Sequence, residues 1–216
     1  MRLIAFGVTT LMALAVATTA LGQPLTREQA LLGIKNRRDV EARRQGVASL
    51  GDTGVMVDVP LLVEALRDPD DVVRALAEHS LWQVWSRSGD SEVDGLFQFG
   101  LEQMNQRDAA AAIQTFTLII QKKPDFAEGW NKRATLYYLI GEYEKSLADC
   151  EEVIRRNPVH FGALSGFGMF YLQLGKPEQA LDYFQRALAV NPNLTQVEAA
   201  MVELKRLLIR QRRDTI

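Results

Sequence analysis

Three prolines recur at a fixed interval in the second half of the chain: the step from Pro124 to Pro158 equals the step from Pro158 to Pro192. Each proline follows a stretch whose apolar residues recur with helical spacing. An interval of about 34 residues is typical of stacked helical units, because one short unit cannot bury its apolar face alone and packs against its neighbours. The recurrence therefore predicts an all-α solenoid rather than a fold based on sheets.

The residues between the prolines recur at the same interval. Gly100, Ala134 and Gly168 place a small residue at one position of each unit, while Gly141 and Gly175 mark a turn between two helices. Small residues there let two helices approach closely, so each unit is predicted to be an antiparallel helix pair. A position in the second helix of each unit holds, in chain order, Phe116, Cys150 and Phe184.

This pattern resembles the tetratricopeptide repeat. The middle unit, 127–160, matches the family at the positions held by Trp130, Ala134, Tyr137, Gly141, Tyr143, Ser146 and Pro158. The first unit, 93–126, departs from the family with Leu96 in the tryptophan position and Arg107 in the turn. With a third unit over 161–194, the resemblance implies a right-handed superhelical α-solenoid as a domain over 91–216. We expect residues 195–213 to form a helix that caps it, with an apolar stripe of Val197, Met201, Leu204 and Leu208.

Residues 23–90 are predicted to form a second helical region. Pro69 cannot lie inside a helix, whereas Asp70 and Asp71 suit the start of the next one, where acidic groups face the positive end of the helix dipole. The run Leu66–Arg74 with the residues after it resembles a HEAT repeat. That resemblance implies that the turn aspartate and the arginine bond along the stack.

A fainter copy of the HEAT-like run lies earlier in the chain, where Asp39 and Arg43 stand in the positions of Asp70 and Arg74. Trp82 and Trp85 follow the second copy. Their spacing lets only one ring face the HEAT-like core fully, so we expect the other at the junction with the next repeat.

The segment 1–22 is typical of an export signal. Met1 and Arg2 are positively charged, the following residues to Gly22 carry no charge, and Ala20 and Gly22 form a cleavage site of small residues. We expect cleavage after Gly22 and an exported, periplasmic protein. The alternative is an uncleaved helix that anchors the protein in the membrane, since about twenty uncharged residues can span a bilayer.

Composition excludes several classes of function. Lys and Arg number 25 against 27 Asp and Glu, so no net positive charge attracts the chain to nucleic acid. With one cysteine, Cys150, and two histidines, His79 and His160, the chain lacks a disulfide pair and the ligands of a structural zinc site. We expect no metal and no cofactor. We interpret Cys150 as a buried inert thiol, and the histidines as ordinary helix-surface and loop residues.

The tetratricopeptide resemblance implies a concave groove lined by the first helix of each unit. We predict that it accepts an extended or helical protein segment through Phe97, Met104, Asn131, Tyr138, Met169 and Leu172. The alternative is that Phe97, Leu101 and Met104 simply pack against the HEAT-like region or the capping helix. Gly162 and Gly166 lie four apart on the groove side, where they either admit a partner's backbone or loosen the start of the helix.

Tetratricopeptide domains that clamp the C-terminal carboxylate of cytosolic chaperones carry Lys, Asn and Arg at set positions. Here Phe97, Leu101, Gly162 and Gly166 stand at four of them, which argues against such a clamp. We therefore expect a non-enzymatic, exported scaffold or adaptor with a protein or peptide partner, no nucleic acid, and membrane contact only if the signal stays uncleaved. The alternatives are a self-associating structural envelope protein, hence a homo-oligomer, and an unrecognised enzyme.

Overall fold

The computed structural model describes residues 25–214, and the predicted export signal of residues 1–22 lies outside them. Within this range the chain forms eleven α-helices and one short 3-10 helix, and no strand. None of these helices combines the length and the apolar character needed to cross a membrane. The predicted all-α solenoid fold is confirmed.

Short loops join the helices, so consecutive helices can pair antiparallel. Their bounds are α1 (Arg27–Ile34), α2 (Val40–Thr53), α3 (Val59–Ala65), α4 (Asp71–Trp85), α5 (Ser91–Asn105), α6 (Ala109–Lys122), α7 (Ala127–Leu139), α8 (Tyr143–Arg156), α9 (Phe161–Gln173), α10 (Pro177–Val190) and α11 (Thr195–Asp214). The 3-10 helix, Met56–Asp58, precedes α3. We call α1 to α4 the N-terminal unit, and α5–α6, α7–α8 and α9–α10 the first, second and third repeat.

Polar side chains fix the starts of several helices. Thr26 and Gln29 form a capping box at α1, in which each side chain bonds the backbone N–H of the other residue. Asp70, Asp90 and Asp108 accept backbone N–H groups at the starts of α4, α5 and α6. Asp70 therefore begins α4 directly after Pro69, as predicted.

The turn inside each repeat requires a left-handed backbone conformation. Gly141 and Gly175 adopt φ values of 81° and 64° in the second and third repeats. Arg107 adopts φ 62° in the first repeat, although it carries a side chain. This conformation costs a non-glycine residue about 1 kcal/mol or more, so the first repeat keeps the geometry of the others despite its different sequence.

The hydrophobic core is divided into clusters along the solenoid. One cluster fills the first repeat around Phe97 and Phe116, and another joins Phe184 of the third repeat to Leu204 of α11. Val197 and Met201 pack against that second cluster, so the predicted apolar stripe of α11 does cover the end of the third repeat.

The N-terminal unit is tied together by arginine–aspartate pairs. Arg43 Nε lies 2.8 Å from Asp68 Oδ2 on the next turn, and Arg44 pairs with Asp70 at 2.7 Å. Arg74 donates to the backbone carbonyl groups of its own turn. The aspartate-to-arginine bonding implied by the HEAT resemblance is thus present between Arg43 and Asp68, while membership of that family stays a prediction.

The N-terminal unit folds back onto the loops that end the second and third repeats. Asn191 Nδ2 donates to Glu78 Oε2 at 3.0 Å, and Asn193 Nδ2 donates to the Leu66 carbonyl at 2.8 Å. Arg67 donates to the carbonyl of Val190 at 3.0 Å. These contacts join parts of the chain that are far apart in sequence.

The two tryptophans of α4 lie in this same junction. Trp85 stacks on His160 with ring centroids 4.5 Å apart, and Trp82 meets Phe161 edge to face at 5.4 Å. One ring is expected in the HEAT-like core and the other at the junction with the next repeat in sequence. Trp85 does lie in that core, but both rings contact residues at the start of the third repeat instead. The reason is that His160 and Phe161 are buried and offer aromatic partners there.

Candidate functional site

A pocket of about 280 Å³ opens between the second and third repeats. We call it the inter-repeat pocket. Helices α7, α8 and α9 supply its walls, and most of the lining is apolar or small: Asn131, Ala134, Thr135, Tyr138, Ser146, Leu147, Cys150, Gly162, Ala163, Gly166, Phe167, Met169 and Phe170. Its volume lies just below the usual range for small-ligand sites, about 300–1,000 Å³, so it suits one or two side chains.

Small side chains in the second repeat create this space. In the first repeat a Cβ on Gly100 would lie 2.7 Å from the Phe116 ring, and in the third a Cβ on Gly168 would lie 2.3 Å from the Phe184 ring. The second repeat has Ala134 in place of these glycines. Cys150 takes the place of the phenylalanine, and a thiol fills much less volume than a phenyl ring. The pocket therefore lies where two of the three repeats bury an aromatic side chain.

A hydrogen-bond network ties together the helices next to the pocket. The Arg133 guanidinium donates to both Asp149 carboxylate oxygens, at 2.7 and 2.8 Å, and to Thr117 Oγ1 at 3.0 Å. This network joins α6, α7 and α8. On the pocket side Ser146 Oγ donates to the Ala134 carbonyl at 2.9 Å, so its hydroxyl is already used inside the repeat.

A buried carboxylate links the second repeat to the third. Glu128 Oε1 lies 2.5 Å from His160 Nε2, and the Glu128 carboxylate also accepts from Asn131 Nδ2 at 3.1 Å and pairs with Lys132 at 3.2 Å. His160 Nδ1 accepts the Ala163 N–H at 3.0 Å, so the ring proton lies on Nε2 and is donated to Glu128. Asn131 and Ala163 also line the pocket, so residues of the pocket wall are hydrogen-bonded to the Glu128–His160 pair.

The same contacts set the charge of Glu128. Burial would raise the pKa of this carboxyl group, but the His160 ring, the Lys132 ammonium group and the Asn131 amide outweigh burial and lower the pKa to about 2. Glu128 therefore remains a carboxylate at neutral pH.

Cys150 has the opposite behaviour. Burial and the neighbouring Asp149 charge raise the pKa of its thiol to about 12. The thiol is protonated at neutral pH and is a poor nucleophile, in agreement with the interpretation of Cys150 as inert. Among the described residues no cluster of His, Cys, Asp and Glu could hold a metal ion. The chemistry that the pocket supports is binding.

Sequence comparison decides which family this architecture represents. Two profiles described as tetratricopeptide repeat match residues 97–160 and 163–194. These two stretches of the chain are tetratricopeptide repeats. Tetratricopeptide repeats are protein-interaction modules that are typically non-catalytic, and nothing in the comparisons points to an enzyme.

Relatives match this chain over part of its length. A TPR repeat-containing protein of Rhizobium etli is 36% identical over 126 residues, which cover 58% of this chain and 61% of the relative. Anaphase-promoting complex subunit 3 of Schizosaccharomyces pombe is 36% identical over 88 residues, which cover 41% of this chain and 13% of the subunit. The chain thus spans about three fifths of the first relative and a small part of the second.

Solved structures share the fold. The first TPR domain of Spaghetti (RPAP3), bound to an HSP90 peptide, has a TM-score of 0.53 at 22% identity and covers 56% of this chain and 96% of that domain. The Sgt2 TPR domain from Aspergillus fumigatus has a TM-score of 0.53 at 21% identity and covers 57% of this chain and 83% of its own.

The predicted groove residues lie in different parts of the repeats. Asn131, Tyr138 and Met169 line the inter-repeat pocket together. Phe97 is only 1% exposed, so the prediction that it contacts a partner is wrong. Its ring lies 5.9 Å from Phe116 and packs into the first repeat, because burial among aromatic rings is more favourable than exposure to water.

The two remaining groove candidates pack inside the protein. Met104 is half-buried against the cluster of the first repeat, and Leu172 packs against the cluster formed with α11. The alternative expected Phe97, Leu101 and Met104 to pack against the HEAT-like region or the capping helix, but these three residues pack within the first repeat itself. Met104 and Leu172 therefore lie outside the inter-repeat pocket.

The two groove glycines have different neighbours. A Cβ on Gly162 would lie 2.5 Å from the Trp82 ring, so this glycine makes room for the protein's own N-terminal unit rather than for a partner. A Cβ on Gly166 would meet no atom within 4 Å, and Gly166 lines the pocket. Gly166 thus borders open space, and its contact with a partner stays a prediction.

His160 is the residue that sequence reasoning missed. It does lie in the loop before α9, but it is fully buried, whereas His79 is exposed on α4 as expected. Only its tertiary partners, Glu128 and Trp85, explain the burial. In the sequence, His160 stands directly before a predicted helix, and a capping role at that position is the signal from which its burial could have been inferred.

Proposed function

We propose that the protein is a non-enzymatic interaction scaffold whose inter-repeat pocket takes an apolar side chain of a partner protein segment. The observation that carries the proposal is the apolar pocket left by Cys150 where the other repeats bury phenylalanine. Met169 is 45% exposed at the pocket and offers an adaptable apolar contact. The Spaghetti domain bound to an HSP90 peptide is a precedent for peptide binding on this fold.

The proposal extends to polar orientation of the segment. Asn131 holds its amide nitrogen against Glu128, which directs its amide oxygen away from that carboxylate as an acceptor for a partner's N–H. Tyr138 lines the same pocket. We further propose export to a bacterial periplasm, on the basis of the charge pattern of residues 1–22.

A matched pair of glycine substitutions tests the pocket. Gly166 and Gly95 are both exposed helical glycines whose Cβ would meet nothing within 4 Å, but only Gly166 lines the pocket. A photo-crosslinking amino acid at Met169, followed by peptide mapping from the envelope fraction, identifies the bound segment. Gly166→Leu should abolish that crosslink, whereas Gly95→Leu should leave it intact. Equal crosslinking in both variants rejects the pocket as the binding site.

Self-association is a second candidate because an apolar patch is exposed at the turn of the second repeat. Leu139 and Ile140 are 69% and 50% exposed, and Leu174 lies exposed at the corresponding turn of the third repeat. Sedimentation equilibrium of the purified protein distinguishes the two candidates. A dimer that dissociates in the Leu139→Glu variant supports self-association, and a monomer at all concentrations supports the adaptor.

A further inference from the structure

A second, smaller cavity of about 90 Å³ lies where the N-terminal unit meets the repeats. We call it the junction cavity. Its walls come from the end of α4, the loop before α7 and the end of α8, and they include Trp85, Arg87, Lys123, Ala127, Arg156 and Asn157. It is separate from the inter-repeat pocket, which shares none of its lining residues.

Two buried hydrogen-bond donors at this cavity have no acceptor. Trp85 and Asn157 are 3% and 2% exposed, and neither Trp85 Nε1 nor Asn157 Nδ2 has a hydrogen-bond partner among the described residues. Buried N–H groups in native proteins nearly always have an acceptor. Two such groups on one small cavity therefore point to a ligand that accepts hydrogen bonds.

The repeat structure indicates which acceptor fits. Asn157 and Asn191 occupy equivalent positions of the second and third repeats, each as the C-terminal cap of the second helix. Asn191 Nδ2 donates to the Glu78 carboxylate at 3.0 Å. The equivalent amide of Asn157 has no such carboxylate among the described residues, so an external carboxylate would complete the same interaction.

Charge at the cavity also favours an anion. Arg87 donates to the Gly54 carbonyl at 2.8 Å and pairs with no carboxylate among residues 25–210. Lys123 Nζ lies 3.4 Å from a carboxylate oxygen of the exposed Asp125, which is a long ion pair. Arg156 forms an ion pair with Glu152. Three cations thus line the cavity with one acid, Asp125.

The start of α7 adds a further positive element. The helix begins at Ala127, on the cavity wall, and its cap residue Phe126 offers no side-chain acceptor. The nearby Glu128 carboxylate is already engaged by His160, Asn131 and Lys132. The positive end of the α7 helix dipole therefore lies at the cavity wall.

We propose that the junction cavity is an anion site that binds a single carboxylate group through Trp85 Nε1–H and Asn157 Nδ2–H, with Arg87 supplying charge. A volume of about 90 Å³ admits a group the size of about three water molecules, each taking about 30 Å³. The carboxylate is therefore either a small free acid or the tip of an Asp or Glu side chain.

Nuclear magnetic resonance of the ¹⁵N-labelled protein tests the site with sodium acetate as the probe. The three tryptophans give three indole N–H signals, and the Trp130 indole, which donates to the Pro124 carbonyl at 3.0 Å, is the internal control. The Trp85 indole and Asn157 amide signals should shift together and saturate with acetate, but not with sodium chloride at equal ionic strength. Absence of a saturable shift, or the same response to chloride, overturns the proposal.

Two variants of Arg87 separate charge from packing. Arg87→Gln should weaken acetate binding about tenfold, as expected for loss of one charge-assisted contact, while Arg87→Lys should retain most of it. Circular dichroism verifies that both variants fold. Equal acetate binding in the wild type and the folded Arg87→Gln variant contradicts the role of charge and overturns the site.

Two blocked tripeptides identify the source of the carboxylate. N-acetyl-Gly-Asp-Gly-amide should displace acetate if a partner side chain supplies the group, and its Asn counterpart should not. Displacement by the Asp peptide supports a protein source, and saturation by acetate alone supports a small free acid. Displacement by both peptides would mean that the site does not select a carboxylate and would overturn the proposal.

Discussion

The first and second repeats differ at one equivalent position of their second helices, and this position is filled in one repeat and open in the other. Phe116 fills the first repeat against Phe97, with ring centroids 5.9 Å apart. At the equivalent position of the second repeat Cys150 leaves a pocket of about 280 Å³. The difference teaches that in this solenoid the size of one side chain, rather than the path of the backbone, decides whether a repeat is filled or leaves a pocket.

The two regions also differ in the contacts that stabilise them. Aromatic rings stabilise the first repeat, including the contact of Phe97 with Phe126 at 5.3 Å. The second and third repeats are linked by the buried Glu128–His160 pair. We therefore expect the stability of the first region to depend on side-chain volume and that of the second to depend on pH.

The largest effect is expected from giving the first repeat the residue of the second. Phe116→Cys removes a fully buried ring and should lower the free energy of unfolding by about 3 kcal/mol, measured by urea denaturation. Adding Gly100→Ala recreates the Ala–Cys pair of the second repeat and should recover up to about 1 kcal/mol, since alanine favours the helix over glycine. If Phe116→Cys alone lowers the free energy of unfolding by much less than about 3 kcal/mol, the Phe116 ring does not close the repeat.

A pH-dependent effect of about the same size is expected at Glu128. Its pKa is lowered from 4.5 to about 2, so its contribution to stability is complete above pH 4.5 and is lost as pH falls toward 2. Wild type should exceed Glu128→Gln in unfolding free energy by on the order of 3 kcal/mol at pH 6, and this gap should narrow steadily between pH 5 and about pH 2.

The control for this measurement is Glu92→Gln, because Glu92 forms an exposed pair with Lys122 at 2.8 Å in the first repeat. Its effect should stay below about 1 kcal/mol at every pH. A Glu128→Gln gap that does not change with pH would contradict the assignment of a buried carboxylate to this interface.

The smallest effect on stability is expected from the reverse exchange. Cys150→Phe combined with Ala134→Gly places a ring in existing space with a glycine opposite it, as in the other repeats, so the unfolding free energy should stay within about 1 kcal/mol of the wild type. Thermal and urea unfolding both measure this. A loss as large as that expected for Phe116→Cys would mean that the pocket cannot take a ring and that the two repeats differ in backbone geometry.

The recurrence of prolines, glycines and small residues predicted the helix pairs and the capping helix, because each of these features acts within one unit or between neighbours. The location of the open site was predicted only in part. Asn131, Tyr138 and Met169 were found from their positions in the repeat, whereas Phe97 was misassigned because position alone does not reveal that Phe116 and Phe126 surround it.

The back-folding of the N-terminal unit was beyond the reach of sequence patterns. Bonds such as that between Asn191 and Glu78 join residues distant in sequence and leave no local periodicity. The burial of His160 follows from the same tertiary arrangement. Long-range polar and aromatic contacts, not helix propensity, fix this junction.

The central claim is that the space left by Cys150 is where a partner segment docks. The most direct measurement is the dissociation constant of the crosslinked segment, made as a synthetic peptide, for the wild type and for Cys150→Phe. We predict at least a tenfold weaker complex with the folded Cys150→Phe variant, about 1.4 kcal/mol of binding free energy. An unchanged dissociation constant would contradict the account.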